Sequence, residues 1–373
     1  MNKILLPPSR LGLMGSGQLG RMFAQEAIRM GYRTSVYSPE RNSPAFLAGA
    51  EETVAPYEDE DALLKYLEGL DALTFEFENI PNAELNLIQK FSEKNGLRVY
   101  PSPECIRIAQ HRIREKSVFR KLGLPTVAFY PITNRSEALA AVEACKFPAI
   151  LKTSSFGYDG KGQTKYKSKE EFRFWAESIG CGPLDLILEE YFDFEKEASV
   201  ILARNIEGKI FCFPPSENFH RNHILDLTVH PGRFSQNVNE GMKEAAIRLA
   251  EGINYVGVFG LEFFVKGNVF ILNEFAPRPH NSGHFSQDAA GISQFELQVR
   301  ILTGLPLPDS NPASPSSMKN ILGQDYEPTS EKWMKYLSDS RYTLHLYGKS
   351  DPRKDRKMGH WNFTGEAPES AFE

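Results

Sequence analysis

The sequence has few cysteines, and none of them are paired in a motif. The four cysteines lie far apart along 373 residues, without a C-x-x-C spacing. This excludes a disulfide framework and a cysteine-based zinc site as explanations of the fold, and it is typical of buried thiols in a reducing cytosol. His220 and His223 form an H-x-x-H pair without a third ligand at a recognisable spacing, so zinc is only weakly indicated. We therefore expect a cytoplasmic protein.

Long apolar runs and an excess of positive charge are also missing. No stretch approaches the ~20 apolar residues that span a membrane, and the start of the chain has two prolines and no cleavage site of a signal peptide. The net charge of −5 and the pI near 6.0 give no general basic surface for nucleic acid. We expect neither a membrane nor a nucleic acid as a partner.

The composition is that of a globular protein, with 41% hydrophobic and 24% charged residues. A chain of this length exceeds one ordinary core, so we expect two or three domains. Strands and helices alternate over the first hundred residues, which predicts an α/β domain with a parallel sheet.

A glycine-rich turn stands in the first of these units. A strand at 10–14 leads into G-S-G-Q-L-G at 15–20 and then into an apolar-periodic helix that Gly31 ends. Such glycines let the backbone and the helix N-terminus approach an anion. A dinucleotide is disfavoured, because Ser38 stands where an acid that binds the ribose is expected. A dehydrogenase and a purely structural turn remain the alternatives.

Two acids follow at the end of a central strand, 72–77. Glu76 and Glu78 flank Phe77, and alternation along a strand turns both carboxylates to one side. Open α/β sheets bind ligands at this edge. A solvated strand end is the alternative.

The middle of the chain carries a basic helix and a second glycine loop. The helix is predicted at 103–122, with most of its cations on a solvated face. Strand 149–152 ends on a lysine, and the loop 153–163 then holds three glycines among hydroxyl groups. It is not a P-loop, because G-x-x-x-x-G-K-[ST] is absent, but its backbone N–H groups can cover phosphates. A plain hairpin loop is the alternative.

The stretch 260–284 is the richest in candidate ligands. It predicts two strands around Lys266-Gly267-Asn268, and the second strand delivers Asn273 and Glu274. Carboxylates on strands next to a cationic loop suit a metal-bound nucleotide beside an anionic substrate. A polar hairpin end near a subunit surface is the alternative. The polar residues that follow are Arg278, His280, Asn281 and His284.

The order of these parts resembles the ATP-grasp superfamily. Three motifs, GSGQLGRM, GYDGKGQ and NEFAPRPHNSGH, closely resemble the N5-carboxyaminoimidazole ribonucleotide synthetase family of purine biosynthesis. The likeness runs from Gly12 to about His360. A neighbouring family, the formate-dependent glycinamide ribonucleotide transformylases, shares the architecture and the Arg-Pro-His. It differs after that histidine, where this chain has Asn281-Ser-Gly-His284.

The resemblance implies an α/β protein whose middle domain is α+β. An ATP-grasp fold would lie between an N-terminal Rossmann-like domain and a small C-terminal domain, with boundaries at 1–104, 105–304 (lid at about 125–192) and 305–373. The implied reaction carboxylates 5-aminoimidazole ribonucleotide with ATP and bicarbonate, through carboxyphosphate, and releases ADP and phosphate. The transformylase or another ATP-grasp carboxylate ligase is the alternative. A non-catalytic nucleotide-binding protein would have no reason to keep Lys152, Glu262 and Glu274 together.

The resemblance also assigns residues to ATP. The phosphates would meet Arg112, Lys152 and the flap, the adenine would lie between Glu189 and Phe192, and Glu197 would face the ribose near His220. The implied ATP-binding residues are Arg112, Lys152, Gly157, Tyr158, Asp159, Gly160, Lys161, Gly162, Gln163, Glu189, Glu190, Tyr191, Phe192, Glu197, His220, Asn273 and Glu274.

By the same resemblance, Glu262 and Glu274 would bind Mg²⁺, or alternatively Mn²⁺. A regular hairpin with a two-residue turn would pair Glu262 with Asn273 and aim Glu274 at the opposite face. We therefore predict an odd loop or a bulge in this hairpin, which would bring both glutamates to one face.

The remaining implied roles concern the second substrate and the carboxylation. Arg278, His280 and Asn281 would face bicarbonate, and Lys161 joins them as a catalytic candidate, although relatives often carry arginine there. No Met-Lys-Met motif for biotin is present. A homodimer is implied, with the product passed to a separate mutase. The implied ligands of aminoimidazole ribonucleotide are Gln18, Leu19, Glu76, Tyr158, Asp159, Arg278, His280, Asn281, Lys349 and Arg356.

Overall fold

The computed structural model describes residues 3–155 and 162–372. The described residues form three β-sheets: a parallel N-terminal sheet, a small antiparallel sheet and a large antiparallel sheet. Within these ranges no helix combines the length and the apolar character that crossing a bilayer requires.

The N-terminal sheet is parallel, with the strand order β3-β2-β1-β4-β5. The predicted first strand and the helix that Gly31 ends are confirmed, and Gly31 has a φ of +89° that suits glycine. The elements are β1 Arg10–Met14, α1 Gln18–Arg29, β2 Arg33–Ser38, β3 Glu51–Val54, α2 Glu60–Glu68, β4 Ala72–Phe75, α3 Asn82–Asn95 and β5 Arg98–Val99, with a 3₁₀ turn at Phe46–Ala48.

The single basic helix predicted at 103–122 is wrong, because the structure has two helices there. They are α4 Pro103–Ala109 and α5 Arg112–Lys121. His111 is extended between them, with φ −140° and ψ 111°. The break lets the Arg112 N–H donate to the Ser154 carbonyl at 2.8 Å, which ties the start of α5 to the small sheet.

The small antiparallel sheet has the order β6-β9-β7-β8 and carries two helices on it. Ser168 and Asn134 cap these helices, each with a side-chain oxygen that accepts from the N–H three residues later. The elements are β6 Phe129–Ile132, α6 Arg135–Ala144, β7 Ala149–Thr153, β8 Gln163–Tyr166, α7 Lys169–Ser178 and β9 Leu186–Glu190.

The large sheet has the order β15-β14-β10-β12-β13-β16-β18-β17, with β11 paired to β10. It runs through the expected boundary at 304/305, because β13 pairs with β16. Its strands are β10 Lys196–Arg204, β11 Ile210–Cys212, β12 Ser216–Arg221, β13 Ile224–His230, β14 Gly257–Lys266, β15 Val269–Ala276, β16 Ser316–Leu322, β17 Tyr342–Leu346 and β18 Lys357–Thr364. The accompanying helices are α8 Gln236–Gly252, α9 Ser286–Ala289, α10 Gln294–Thr303 and α11 Glu331–Leu337, with 3₁₀ turns at Asn281–Gly283, Gly323–Asp325 and Pro368–Ser370.

Helix α10 fixes the N-terminal sheet against the large one. Phe295, Val299 and Leu302 pack against the side chains of the first α/β unit, while Leu297 and Ile301 pack on the large sheet. Because α10 has an apolar face on each side, it is buried between the two sheets and limits their movement relative to one another. The carboxyl edge of the parallel sheet therefore faces β14 and β15 across a fixed gap.

Candidate active site

A cleft of about 1170 Å³ lies where these three sheets meet. Its walls include Gln18 and Glu76 of the first unit, Lys152 and Glu189 of the small sheet, and residues of β14, β15 and the following loop. The cleft brings together most of the described candidates: Gln18, Leu19, Glu76, Arg112, Lys152, Gln163, Glu189, Glu190, Tyr191, Phe192, Glu197, His220, Glu262, Asn273, Glu274, Arg278, His280 and Asn281.

The glycine-rich turn is built around Glu76. The carboxylate accepts hydrogen bonds from the backbone N–H groups of Gly17 at 2.6 Å and of Leu19 at 3.0 Å. A Cβ on Gly17 would lie 2.6 Å from Glu76 Oε1, so any larger residue there would displace this carboxylate. Burial raises the pKa of Glu76 in spite of these bonds. The anion that the turn holds in the structure is thus an internal carboxylate.

Lys349 reaches this turn from the C-terminal region. Its Nζ donates to Gln18 Oε1 at 2.7 Å, and burial with the nearby Arg356 charge lowers the lysine pKa to about 8. Arg356 itself donates to the Asp351 carbonyl at 2.9 Å. Both cations lie beside the cleft wall near Gln18 and not among its lining residues.

A buried charge cluster connects α5 to the small sheet. Glu189 Oε2 accepts from Lys152 Nζ at 2.7 Å, and its Oε1 lies 3.6 Å from Lys116 Nζ. Burial opposes ionisation, but the two ammonium groups outweigh it and lower the pKa of Glu189 to about 2. The expectation of a solvated face on α5 is wrong for Lys116, which is 1% exposed. Sequence patterning missed it because its partner lies 73 residues later.

Two polar residues mark the part of the cleft next to β10 and β12. Glu197 Oε1 lies 3.0 Å from His220 Nδ1, and this contact raises the pKa of His220 against the effect of burial. Tyr191 and Phe192 line the same wall. Glu190 also lines the cleft, and its side chain accepts from the Lys146 N–H at 3.1 Å.

The predicted irregularity in the β14–β15 hairpin is confirmed. Leu261 pairs with Phe275 while Phe263 pairs with Leu272, so Glu262 stands opposite two residues, Asn273 and Glu274. The turn at Gly267-Asn268 has two residues, as the pairing of Lys266 with Val269 requires. The bulge is therefore in the strand and not in the turn.

The bulge concentrates negative charge. Asn273 Nδ2 lies 3.4 Å from Glu262 Oε2, and Arg112 Nη1 lies 3.8 Å from Glu274 Oε2. Burial, followed by the charge of Glu274, raises the pKa of Glu262 to about 7. Glu115, which accepts from the Phe275 N–H at 2.6 Å, has its pKa raised to about 8 by the same two causes. The bulge thus gathers the buried carboxylates of Glu262 and Glu115 and the more exposed one of Glu274 around the guanidinium of Arg112.

The loop after β15 presents three further groups. Arg278 Nε donates to Glu78 Oε2 at 3.0 Å, and His280 Nε2 lies 3.3 Å from Glu262 Oε1. Burial and the charge of Arg278 hold the pKa of His280 well below its usual range, so this ring is neutral at pH 7. The side-chain amide of Asn281 is buried, and neither its oxygen nor its nitrogen has a hydrogen-bond partner among the described residues.

The flap candidates fall mostly outside the described residues. This applies to Gly157, Tyr158, Asp159, Gly160 and Lys161. Gly162 has a φ of +71°, and a Cβ on it would lie 2.9 Å from Thr153 Oγ1. Gln163 begins β8, pairs with Lys152 and faces the cleft.

Several cleft residues had no role from the sequence alone. Glu78, Glu115, Lys116, His284 and Lys357 line the cleft. Glu78 could have been assigned to the site because it alternates with Glu76 along the chain. Lys357 gave a weaker indication, because it directly follows Arg356. Burial of the others depends on contacts between distant segments. Across the described ranges, no group of three or more histidine, cysteine or acidic side chains is placed to hold a metal ion by itself, so the weak zinc indication gains no support.

Three family models match consecutive parts of the chain. They describe a ribonucleotide synthetase preATP-grasp domain at 9–110, an ATP-grasp domain at 117–295 and a phosphoribosylaminoimidazole carboxylase C-terminal domain at 316–373. Together they follow the order expected from the sequence.

Named relatives match over nearly their full length. The N5-carboxyaminoimidazole ribonucleotide synthase of Brucella melitensis is 38% identical over 95% of this chain and 96% of its own. That of Bacillus subtilis is 35% identical over 97% and 93%. An ADP complex of such a synthetase superposes with a TM-score of 0.89 at 35% identity, covering 99% of this chain and 96% of its own. An Aspergillus clavatus synthase in complex with ADP and 5-aminoimidazole ribonucleotide gives 0.85 at 26% identity over 97% and 95%.

Proposed function

This chain belongs to the N5-carboxyaminoimidazole ribonucleotide synthase family of ATP-grasp ligases, and we propose that it catalyses the ATP-dependent carboxylation of 5-aminoimidazole ribonucleotide in purine biosynthesis. Bicarbonate would supply the carbon, and ADP and phosphate would leave. The observation that carries the proposal is the single cleft. It places the Glu76 turn, the Lys152 strand and the β14–β15 bulge around one space.

ATP would lie between the small sheet and β14–β15. Lys152 and Arg112 have the charge to meet its phosphates, and Tyr191 and Phe192 offer the apolar surface for the base. The lysine is held ready at 2.7 Å from Glu189, so a phosphate oxygen would compete with that carboxylate for it. The described part of the flap, Gly162 and Gln163, would close this side.

Mg²⁺, or Mn²⁺ in its place, would be held by Glu262 and Glu274. The bulge sets Glu262 opposite Glu274 in the strand register. Burial, followed by the charge of Glu274, raises the pKa of Glu262, and a divalent cation would neutralise that charge. Two protein carboxylates plus nucleotide phosphates suit the preference of Mg²⁺ for oxygen ligands and retained water. When bound, the ion would neutralise charge that develops on the transferred phosphoryl group.

Aminoimidazole ribonucleotide would occupy the end of the cleft near Glu76. Gln18, Leu19 and Glu76 form its floor, while Lys349 and Arg356 supply positive charge for the 5′-phosphate. Tyr158 and Asp159 of the flap belong to the same proposed set. The amine of this substrate is a weak nucleophile, so it needs an activated acceptor.

Arg278, His280 and Asn281 would bind bicarbonate and its activated form. Phosphorylation by ATP would turn bicarbonate into carboxyphosphate, whose carboxyl carbon the amine attacks, either directly or after CO₂ is released. The neutral His280 can accept a proton, and the unpartnered amide of Asn281 can donate to a carboxylate oxygen. Lys161 is the flap residue proposed to help. Enclosure matters because water destroys the intermediate.

The family resemblance supports three further proposals. We propose a homodimer, a cytoplasmic location and a separate mutase that consumes the product. No biotin is involved, since bicarbonate itself is the proposed carbon source.

The decisive assay measures ADP release by the purified chain with Mg-ATP and bicarbonate, with and without aminoimidazole ribonucleotide. Carboxylation predicts stimulation by this nucleotide and one product formed per ADP. Stimulation by formate with glycinamide ribonucleotide would instead favour the transformylase.

A further inference from the structure

Glu78 forms an ion pair across the cleft that joins two distant segments. Its Oε2 accepts from Arg278 Nε at 3.0 Å, and the two side chains are only 24% and 20% exposed. Glu78 follows β4 in the parallel unit, whereas Arg278 follows β15 in the large sheet. A partly buried ion pair with one well-formed bond is costly to break from one side only, because the other charge then stays unpaired in a place where water solvates it poorly.

The backbone holds both partners in place. Gln110 Nε2 donates to the Glu78 carbonyl at 2.7 Å and also to the carbonyl of Ile80. The Arg278 N–H donates to the Ala276 carbonyl at 2.8 Å. Since Gln110 lies just before α5, the position of Glu78 is tied to the element that carries the ATP-facing Arg112.

The pair also determines which donors of Arg278 are free to act. A guanidinium group has five N–H donors in one plane, and an ion pair at Nε fixes that plane. The Nη1 atom is 3.5 Å from the Pro279 carbonyl, a long contact that holds it weakly. Glu274 and Glu76 are the next acidic neighbours of the guanidinium. Arg278 thus feels the charge of an acid from each of the two proposed substrate sites, while its one ion pair is with Glu78.

We propose that Glu78 is a positioning residue that acts through Arg278, holding the guanidinium so that its remaining donors face the carboxylating species beside the substrate amine. This inference rests on the proposed function. Glu76 and Glu78 are two residues apart in the short segment that directly follows β4. One short segment therefore sets the spacing between the nucleotide at Glu76 and the activated carboxyl group at Arg278.

The consequence is a link between ATP cleavage and carboxylation. With the charge of Glu78 removed, Arg278 is free to turn toward Glu274 or Glu76. ATP still reacts, but the carboxyl group is misplaced and is lost to water before the amine captures it. A displacement of about 1 Å in a reacting group can cost about 10²-fold in rate.

The test uses Glu78→Gln in the full-length chain, with ADP and carboxylated product measured in the same reactions. We expect product formation to fall about 10²-fold, the KM for ATP to stay within about twofold, and the ratio of ADP to product to rise well above one. Glu78→Asp keeps the charge with a shorter reach and is expected to recover part of the coupling. A purely structural role would lower both products together and leave their ratio at one.

A double-mutant cycle with Arg278→Lys tests whether Glu78 acts through the arginine. If it does, Glu78→Gln changes the ADP-to-product ratio of the Arg278→Lys enzyme by less than about threefold, because the pair is already disrupted. Independent, multiplicative effects of the two substitutions would overturn the proposal. So would a ratio of one in Glu78→Gln.

The matched control is Glu104→Gln, which removes an exposed carboxylate that pairs with Arg107 at 3.1 Å. Its ratio is expected to stay at one. Thermal unfolding and ADP binding establish that each variant is folded, and if Glu78→Gln is not, the ratio for Glu78→Asp decides. If the wild-type enzyme forms no product from aminoimidazole ribonucleotide, the proposed function itself is refuted. That outcome differs from an ADP-to-product ratio of one in the variants, which would overturn only the role of Glu78.

Discussion

Glu189→Gln is the substitution that best tests the buried charge cluster. It keeps the shape of the side chain and removes its charge, leaving Lys116 and Lys152 without their shared partner at 3.6 and 2.7 Å. The two lysine side chains are 2% and 12% exposed, so water can solvate them poorly. Removing one partner from a buried pair costs about 3–5 kcal/mol.

The pKa of Glu189 gives an independent estimate of this magnitude. The folded protein lowers it from 4.5 to about 2, and this difference corresponds to about 3 kcal/mol at neutral pH. Because the folded pKa is the lower one, this stabilisation is present above about pH 4.5 and is lost as the pH falls toward 2. The wild type should therefore show a steep loss of stability in this window that Glu189→Gln lacks.

The assay is thermal unfolding at pH 7.5 with and without ADP. Unfolding entropy near 2.1 cal/mol/K per residue converts the cost into a fall of about 4–6 °C for a chain of this length. ADP should raise the midpoint of Glu189→Gln more than that of the wild type, because its phosphates supply the missing negative charge to Lys152.

A surface ion cluster between the two helices that pack on the small sheet provides the control. Glu143 contacts Lys169 and Arg173 and is 64% exposed, so Glu143→Gln should shift the midpoint by less than about 1 °C. The reasoning is refuted if Glu189→Gln unfolds within 1 °C of the wild type, or if ADP stabilises both proteins equally.

Three further outcomes follow from the site. Protons should compete with the cation at Glu262, because the pKa of this carboxyl group is about 7. The affinity of the wild type for Mn²⁺ with ADP, measured by electron paramagnetic resonance, should therefore fall about tenfold from pH 8 to pH 6. In Glu262→Gln, only the pH dependence of ADP itself should remain. Lys349→Met should raise the KM for aminoimidazole ribonucleotide at least about tenfold in steady-state assays and leave the KM for ATP unchanged. Since burial lowers the pKa of Lys349 to about 8, the KM of the wild type for aminoimidazole ribonucleotide should rise above that pH. Gly17→Ala should force Glu76 aside, because the new Cβ would lie 2.6 Å from a carboxylate oxygen, and should raise the KM for aminoimidazole ribonucleotide. Gly180→Ala is the control: its new Cβ has open space around it, so its KM should equal that of the wild type.

The sequence could predict features that depend on neighbours along the chain. The first strand, its glycine turn and the helix that Gly31 ends follow from local rules, and the structure confirms them. The bulge at Glu262 was also predictable. In a regular hairpin with a two-residue turn, Glu262 and Glu274 would lie on opposite faces, so one strand must contain an extra residue to bring them to the same face.

Features that depend on distant contacts were not predictable in this way. Lys116 reads as one cation in a basic helix until the fold brings Glu189 to it. The turn at Gly17 was expected to face an external anion, but its N–H groups are bonded to Glu76, a residue from another strand. The pairing of β13 with β16, which joins the C-terminal strands to the large sheet, likewise has no local signal.

The charge balance around the bulge explains why these distant contacts matter for function. Burial, followed by the charge of Glu274, raises the pKa of both Glu115 and Glu262, and Arg112 lies 3.8 Å from Glu274. A carboxyl group whose pKa is raised on folding destabilises the folded protein increasingly as the pH rises toward that pKa. At neutral pH the unliganded site therefore opposes folding, and a divalent cation with its nucleotide relieves this cost. Part of the binding free energy of the cation and nucleotide therefore goes into neutralising these carboxylates, which the bulge in β14–β15 brings together. The bulge is in this way linked to the stability of the whole cleft.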